Sequence, residues 1–415
     1  MFLFLSDQIY CLSEMAAYSD ADGKLSESKV KAFTEACEKF SIGQYFKVVN
    51  GKIDLEKIDE DENTVFHRAA IENSLAHFTF LEFINGDKNP KNKIGATPLH
   101  NASSQGHLQI CELLMINLKD RHPRDNRGLT PLHHAAHNGQ LSVCEVLIRY
   151  VEDKNPDNHT DGTPLHLAAM QGHLKVCELI IRNIKDYNPQ RNDGTTPLHL
   201  AAENGHLEIC QLLMKNLKEK NPKNKSGHTP LHCAVSNSHY EVIELILKYA
   251  KDKNPGSQLG TTPLHQIVHL GNFKIFQLIV SQIKEINPRD TNGETPFHWA
   301  VEVGHLEISQ FYVKNLKEKN PFDNCGKTPL HWAAQKGHTA IFELISKNLK
   351  DINPKDANGM TPLHFASKHG RLGVCWFIIK RIDNIHPKNK FDQTPLDLAD
   401  GHKTILRYFK KKREF

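Results

Sequence analysis

Threonine recurs at a fixed spacing of 33 residues, at Thr64, Thr97, Thr130, Thr163, Thr196, Thr229, Thr262, Thr295, Thr328, Thr361 and Thr394. No step gains or loses a residue, and every one of these except Thr64 is followed by proline. All 20 prolines fall at one of two phases of the period. A strict period of this size points to stacked copies of one supersecondary unit, each supported by its neighbours, in place of a single globular core. An unbroken period predicts one elongated domain, and a surface built for binding more than for reaction.

One period explains the unit. In Gly194-Thr195-Thr196-Pro197-Leu198-His199-Leu200-Ala201-Ala202-Glu203-Asn204-Gly205-His206, Thr196 suits a helix N-cap and Pro197 the first helical position, where a missing N–H is no loss. Leu198, Ala201 and Ala202 give that short helix a narrow apolar face, and Gly205 ends it in a left-handed conformation. A second helix follows, with Leu207, Ile209, Cys210, Leu212 and Leu213 on its apolar side. Lys218 to Gly227 is polar and closed by Pro222 and Gly227, hence an extended turn.

The run Thr-Pro-Leu-His-x-Ala-Ala-x-x-Gly-His-Leu at this period resembles the ankyrin repeat, over residues 51–415. The resemblance implies an all-α solenoid of antiparallel helix pairs with hairpin-like fingers. It also implies binding through the finger tips and the concave face of the first helices. One departure is systematic. The glycine that usually ends the second helix is replaced by stretches such as Leu217-Lys218-Glu219-Lys220-Asn221-Pro222. An asparagine before that point (Asn117, Asn183, Asn216, Asn315 or Asn348) is expected to take the left-handed position instead.

The chain divides on this reading into a poorly ordered tail at 1–24, a degenerate capping repeat at 25–62, ten repeats over 63–393, and a truncated capping repeat with a basic tail at 394–415. The first cap is expected to hold a helix around Ser28–Phe40, a shorter one near Gln44–Val49, and a finger-like segment at Gly51–Leu55. Irregularities gather between residues 229 and 301. Ser238 stands in the turn-glycine slot, Ile267-Val268 replaces Ala-Ala, and Val235 and Val301 replace second alanines. They are read either as compensated repacking or as a joint or specialised binding segment.

Composition narrows the function. With 52 basic and 48 acidic residues the net charge is +4, which implies no special affinity for nucleic acid or membrane. Cys111, Cys144, Cys177, Cys210 and Cys375 share one phase, and equivalent positions of packed helices lie about 8–10 Å apart, too far for a disulfide. They are expected to be small core residues of a reducing compartment. Met1–Leu5 is too short for a signal-peptide core, and no segment approaches the roughly 20 apolar residues of a membrane span. The expected location is the cytoplasm, or the nucleus if the Lys410–Arg413 cluster is an import signal and not a solvated tail.

Of the 26 histidines, most occupy two fixed phases: the fourth residue of the Thr-Pro-Leu-His run, and the residue after the turn (His107, His173, His206, His239, His305, His338). Both are read as hydrogen bonds tying turn and finger together. His206-Leu207-Glu208 lacks the Pro-Cys-x-x-Cys of a zinc deaminase. Asp20–Ser26 fails as a calcium loop because Tyr18 and Lys29 would fall on ligand positions. Phosphate-binding Gly-Lys loops and hydrolase motifs are absent from the sequence. No catalytic residue, cofactor or metal is expected.

What remains variable is the recognition set. Positions four, seven and eight after each threonine are expected in the groove, and positions one, three and four before it at the finger tip. Late in the array the groove set holds Trp299, Trp332, Phe365, Leu270 and Val303, and the tips hold Leu259, Cys325 and Phe391. Aromatics are enriched among binding hot spots. The two tryptophans either contact a partner or pack over the neighbouring helix. The earlier groove is polar: His134, His137, Asn138, Gln171, Glu203 and Asn204. The expected function is a non-enzymatic scaffold or adaptor for protein partners. The alternatives are a targeting module of a larger enzyme or channel complex, and a chromatin- or nucleic-acid-associated factor.

Overall fold

The computed structural model describes residues 47–49, 52–54, 59–75, 78, 89–160 and 162–412. The tail at 1–24, the helix expected over 28–40 and residue Arg413 lie outside them. The chain divides into two compact units, Met1–Leu217 and Lys218–Phe415, although the period passes through that division unchanged.

In the first unit a short hairpin, β1 (Lys47–Val49) and β2 (Lys52–Asp54), precedes the helices. Pairing is antiparallel, Val48 opposite Ile53 and Val49 opposite Lys52. The shorter helix expected near Gln44–Val49 is therefore replaced by a strand over its last three residues. The reason is legible: Asn50-Gly51, the two residues between the strands, is the strongest two-residue hairpin signal. Helix α1 (Val65–Ile71) follows, and then pairs α2–α3 (Pro98–Gln105, Leu108–Asn117), α4–α5 (Pro131–His137, Leu141–Tyr150), α6–α7 (Pro164–Gln171, Leu174–Asn183) and α8–α9 (Pro197–Glu203, Leu207–Asn216). The second unit holds α10–α11 (Pro230–Ser236, Tyr240–Tyr249), α12–α13 (Pro263–Leu270, Phe273–Val280), α14–α15 (Pro296–Val303, Leu306–Asn315), α16–α17 (Pro329–Lys336, Thr339–Ser346), α18–α19 (Pro362–Lys368, Leu372–Ile379), a 3-10 turn and α20 (Lys403–Lys412).

Each first helix starts at threonine, and all but α1 have proline at the first helical position. Thr97, for instance, is extended at φ −109°, ψ 167°. The Thr97 N–H donates to His100 Nδ1 at 3.0 Å, so that nitrogen is an acceptor and Nε2 carries the proton. His100 Nε2 then donates to the Leu129 carbonyl of the next repeat at 3.0 Å. At the last threonine, Asp397 takes the histidine's place, accepting from the Thr394 N–H at 2.8 Å. The histidines after the turn reach the other way. His173 Nε2 donates to His137 O and His206 Nε2 to Met170 O, at 2.9 and 3.1 Å. Both phases thus bond one repeat to a neighbour, and the first also closes the local helix start.

The asparagines do not take the left-handed position. Among the described non-glycine residues only Glu62, Asn73, Ser238 and Asp392 have positive φ. After α9 the backbone at Leu217 is extended, φ −91° and ψ 143°. The asparagine instead donates its side-chain amide to the carbonyl four residues back: Asn183 to Leu179 at 2.8 Å, Asn216 to Leu212 at 3.1 Å, Asn315 to Phe311 at 2.8 Å and Asn348 to Leu344 at 3.3 Å. That gives a carbonyl of the last turn a second donor beside its helical N–H, without the left-handed cost of about 1 kcal/mol.

The Asn-Pro step that follows has its own role. Its Asn Oδ1 accepts the N–H of the residue after the Thr-Pro pair, ten residues on. Asn155 caps Leu165 at 3.0 Å, Asn254 caps Leu264 at 3.1 Å, Asn320 caps Leu330 at 3.1 Å and Asn353 caps Leu363 at 3.0 Å. The threonine is the backbone N-cap, but a remote asparagine satisfies the orphan donor of the first turn. Replacing Asn353 by alanine is expected to cost about 1 kcal/mol, the usual loss of a cap; an unchanged urea midpoint would remove this role.

Small alanines and larger aliphatics fill the spaces between helices. Within the second unit Val235, Ile267, Val268 and Val301 are each completely buried, so the irregular segment 229–301 is packed. Its core includes the fully buried Phe276 and Tyr312, whose rings meet edge-on at 5.6 Å, with Phe311 5.0 Å from Phe276. The aligned thiols Cys111, Cys144, Cys177, Cys210 and Cys375 are buried and unpaired. Burial pushes the first four up to about 12, so they are packing groups and not nucleophiles.

Candidate functional site

On a short helix, positions four, seven and eight after the threonine share one face, and repetition lines them up across repeats. In the first unit this face is closed by its own bonds. His134 Nε2 meets Asp125 Oδ2 at 3.2 Å, Asn138 Nδ2 donates to Ser104 Oγ at 3.1 Å, and Gln171 reaches His137 at 3.4 Å. Burial pulls Asp125 upward, but the His134 contact and the Leu129 and Arg127 N–H groups outweigh it and hold the carboxyl below its usual value.

The second unit carries the aromatic version. Trp299 is half-buried, and its Nε1 donates to Glu294 Oε2 at 3.1 Å. Its ring sits edge-on to His265 at 5.2 Å and to His269 at 5.9 Å, both on the preceding repeat. Trp332 is also half-buried, but its Nε1 is enclosed with no hydrogen-bond partner. The Lys327 ammonium lies 4.6 Å from the Trp332 ring and 5.1 Å from that of Phe365, a cation–π arrangement. Phe365 is 9% exposed and stacks edge-on with His331 at 5.7 Å. Leu270 and Val303 stand in the same register on successive repeats, 46% and 38% exposed.

The structure therefore brings Trp332 and Phe365 together through Lys327, sets Trp299 on its predecessor, and leaves Leu270 and Val303 open. Leu259 and Phe391, 69% and 71% exposed, are on different fingers and take no part in this cluster. Both tryptophans pack within the array while keeping exposed surface. Their unequal bonding has a measurable consequence. Trp299→Phe is expected to lose about 1 kcal/mol because it strips a bond from the half-buried Glu294 carboxyl. Trp332→Phe is expected to be neutral or slightly stabilising, since the removed N–H has no partner; thermal midpoints that fall equally would contradict this.

The residue just before each threonine is not a free tip. At most of the repeats its carbonyl receives the preceding repeat's histidine, as with Thr195 O from His166 at 3.1 Å and Met360 O from His331 at 3.2 Å. Its side chain can then lie over the first helix, as Glu294 and Lys327 do. Sequence reading missed both, although their phase was the available signal. The tips beyond form a backbone ladder: Thr291 N–H to Leu259 O, Asn324 to Asn292 and Ala357 to Cys325, each at 3.0 Å.

Electrostatics differ along the face. Burial pushes the Glu294 carboxyl up, with Asp290, Asp323 and Glu302 adding to it and the Trp299 N–H opposing. Glu302 pairs with Lys336 at 3.1 Å. Elsewhere in this unit a cleft of about 380 Å³ is lined by Lys251, Asp252, Gln282 and Glu285 among others, away from these residues. Among the described residues no group of three or more His, Cys, Asp or Glu is placed to hold a metal, and no helix is long and apolar enough to cross a membrane.

The family model described as Ankyrin repeats (3 copies) matches the chain repeatedly, at residues 66–158, 115–191, 165–257, 250–323 and 309–389. A comparison with curated proteins returns no match.

Proposed function

Since this chain belongs to the ankyrin repeat family, whose repeats generally serve as protein-interaction modules, we propose that it is a non-enzymatic scaffold or adaptor. Its partner docks on the first-helix face of the second unit. The observation that carries this reading is the open pair Leu270 and Val303 beside the half-buried Trp299 and Trp332. Apolar side chains in register beside rigid aromatic rings make the kind of anchor site that concentrates binding energy. Rings already held by His265, His269 and Lys327 lose little freedom when a partner arrives. The histidines offer no competing chemistry, because those of the Thr-Pro-Leu-His run are buried and committed to the fold. The aligned unpaired thiols support a reducing compartment, such as the cytoplasm.

The test compares wild type with a Leu270→Asp, Val303→Asp variant, both side chains being exposed. Partners captured by the wild type and lost by the variant, at equal thermal midpoints, support the reading. Partners retained in full by the variant move the docking site elsewhere.

A further inference from the structure

The column of residues eight after each threonine changes character along the second unit. It reads Leu270 on α12, Val303 on α14, Lys336 on α16 and His369 just after α18. Beside the last of these, Lys368 and Arg371 are exposed. Among the described residues Lys368 has no ion pair. Of the carboxylates near the column, Glu302 is already held by Lys336 at 3.1 Å and Glu294 by the Trp299 N–H at 3.1 Å. His369 reports the resulting field: burial, then the charges of Lys368, Arg371, His402 and Lys336, hold its imidazole below the usual value. One face thus runs from apolar to basic, and at its far end the exposed Lys368 and Arg371 have no ion pair among the described residues.

Resting on the interaction reading above, we propose that this face takes an extended, acidic segment of a partner protein. Its apolar side chains lie over Leu270 and Val303 and its carboxylates over Lys368 and Arg371, beyond the Lys336–Glu302 pair. Three steps between repeats at about 10 Å each make a track of roughly 30 Å, which about nine to twelve extended residues cover at ~3.3 Å apiece. Charge complementarity selects the occupant: a basic segment is repelled at one end, and an uncharged one gains nothing there. A nucleic acid has the charge but not the apolar half.

The experiment selects random peptides of about twelve residues displayed on phage against the full chain, and measures recovered peptides by fluorescence anisotropy. The expected peptides carry net negative charge with apolar residues toward one end. They should bind at least about tenfold more weakly to a Lys368→Glu, His369→Glu variant of unchanged thermal midpoint, and more weakly as salt rises. Neutral or basic peptides that are lost with Leu270→Asp, Val303→Asp would overturn the acidic occupant while leaving the interaction reading standing. Recovered peptides indifferent to both pairs of substitutions, or no recovery at all, would count against both. A DNA duplex that binds wild type and is lost with the Lys368, His369 variant, but not with the Leu270, Val303 variant, would assign the face to nucleic acid and overturn the proposal.

Discussion

Acidification from neutral pH to about 5 is expected to unfold this protein, and to do so through the histidines that start its helices. Burial pushes His100, His166, His265, His298 and His331 down to about 4, and His133 to about 3. In the unfolded chain each returns to about 6.5. Between these values the unfolded state binds the proton and the folded state does not, so stability falls as the pH drops. Each histidine costs about 2 kcal/mol at pH 5 by this linkage, and a whole domain typically holds only ~5–15 kcal/mol. The geometry gives the same sign: Nδ1 already accepts the threonine N–H, as His166 does from Thr163 at 3.1 Å, so a second proton has no place. Urea midpoints measured down a pH series should begin to fall near pH 6.5 and collapse before pH 4. A midpoint flat between pH 7 and 5 would sink the account.

Gly304→Ala is expected to cost about 3 kcal/mol, combining a left-handed backbone with a collision. Gly304 has φ +99°, and a Cβ there would lie 2.6 Å from His338 Cε1. That histidine cannot yield cheaply, because its Nε2 holds Glu302 O at 3.1 Å. The same contact recurs between Gly172 and His206, and between Gly271 and His305. Where the chain itself abandons the glycine, at Ser238 with φ +58°, the residue in the register of the facing histidine is the smaller Asn272. The rule is not absolute, since Asn73 also has positive φ and is followed one repeat later by His107. Gly304→Ala combined with His338→Asn should therefore lose less than the two single changes added together. Additive losses in that cycle would separate the glycine from the ring.

Much of this architecture was legible in the residues alone. Threonine, proline and glycine act locally: an extended cap, a fixed φ and a left-handed turn each depend on one residue's own backbone. Their strict recurrence therefore disclosed the helix pairs, their boundaries and the buried aliphatic and cysteine positions. The same local logic misplaced what depends on partners. Asn50-Gly51 favours a hairpin, but the residues before it also suit a cap helix, and only pairing with Lys52–Asp54 decides for the strand. Asn216 by its type suits a left-handed backbone, whereas in the fold its side chain bonds the Leu212 carbonyl.

For the proposed docking face, the sequence by itself determined which residues share a register: Trp299 with Trp332 and Phe365, and Leu270 with Val303. Only the tertiary structure decided what each one does there. Trp299 is satisfied by Glu294, and Trp332 is covered by Lys327 without a partner for its N–H. Leu270 and Val303 are left open to solvent. The division has a physical cause. Period and propensity act within one repeat, whereas the bonds from Asn353 to Leu363, from His331 to Met360 and from His338 to Glu302 join residues that become neighbours only once the repeats have stacked.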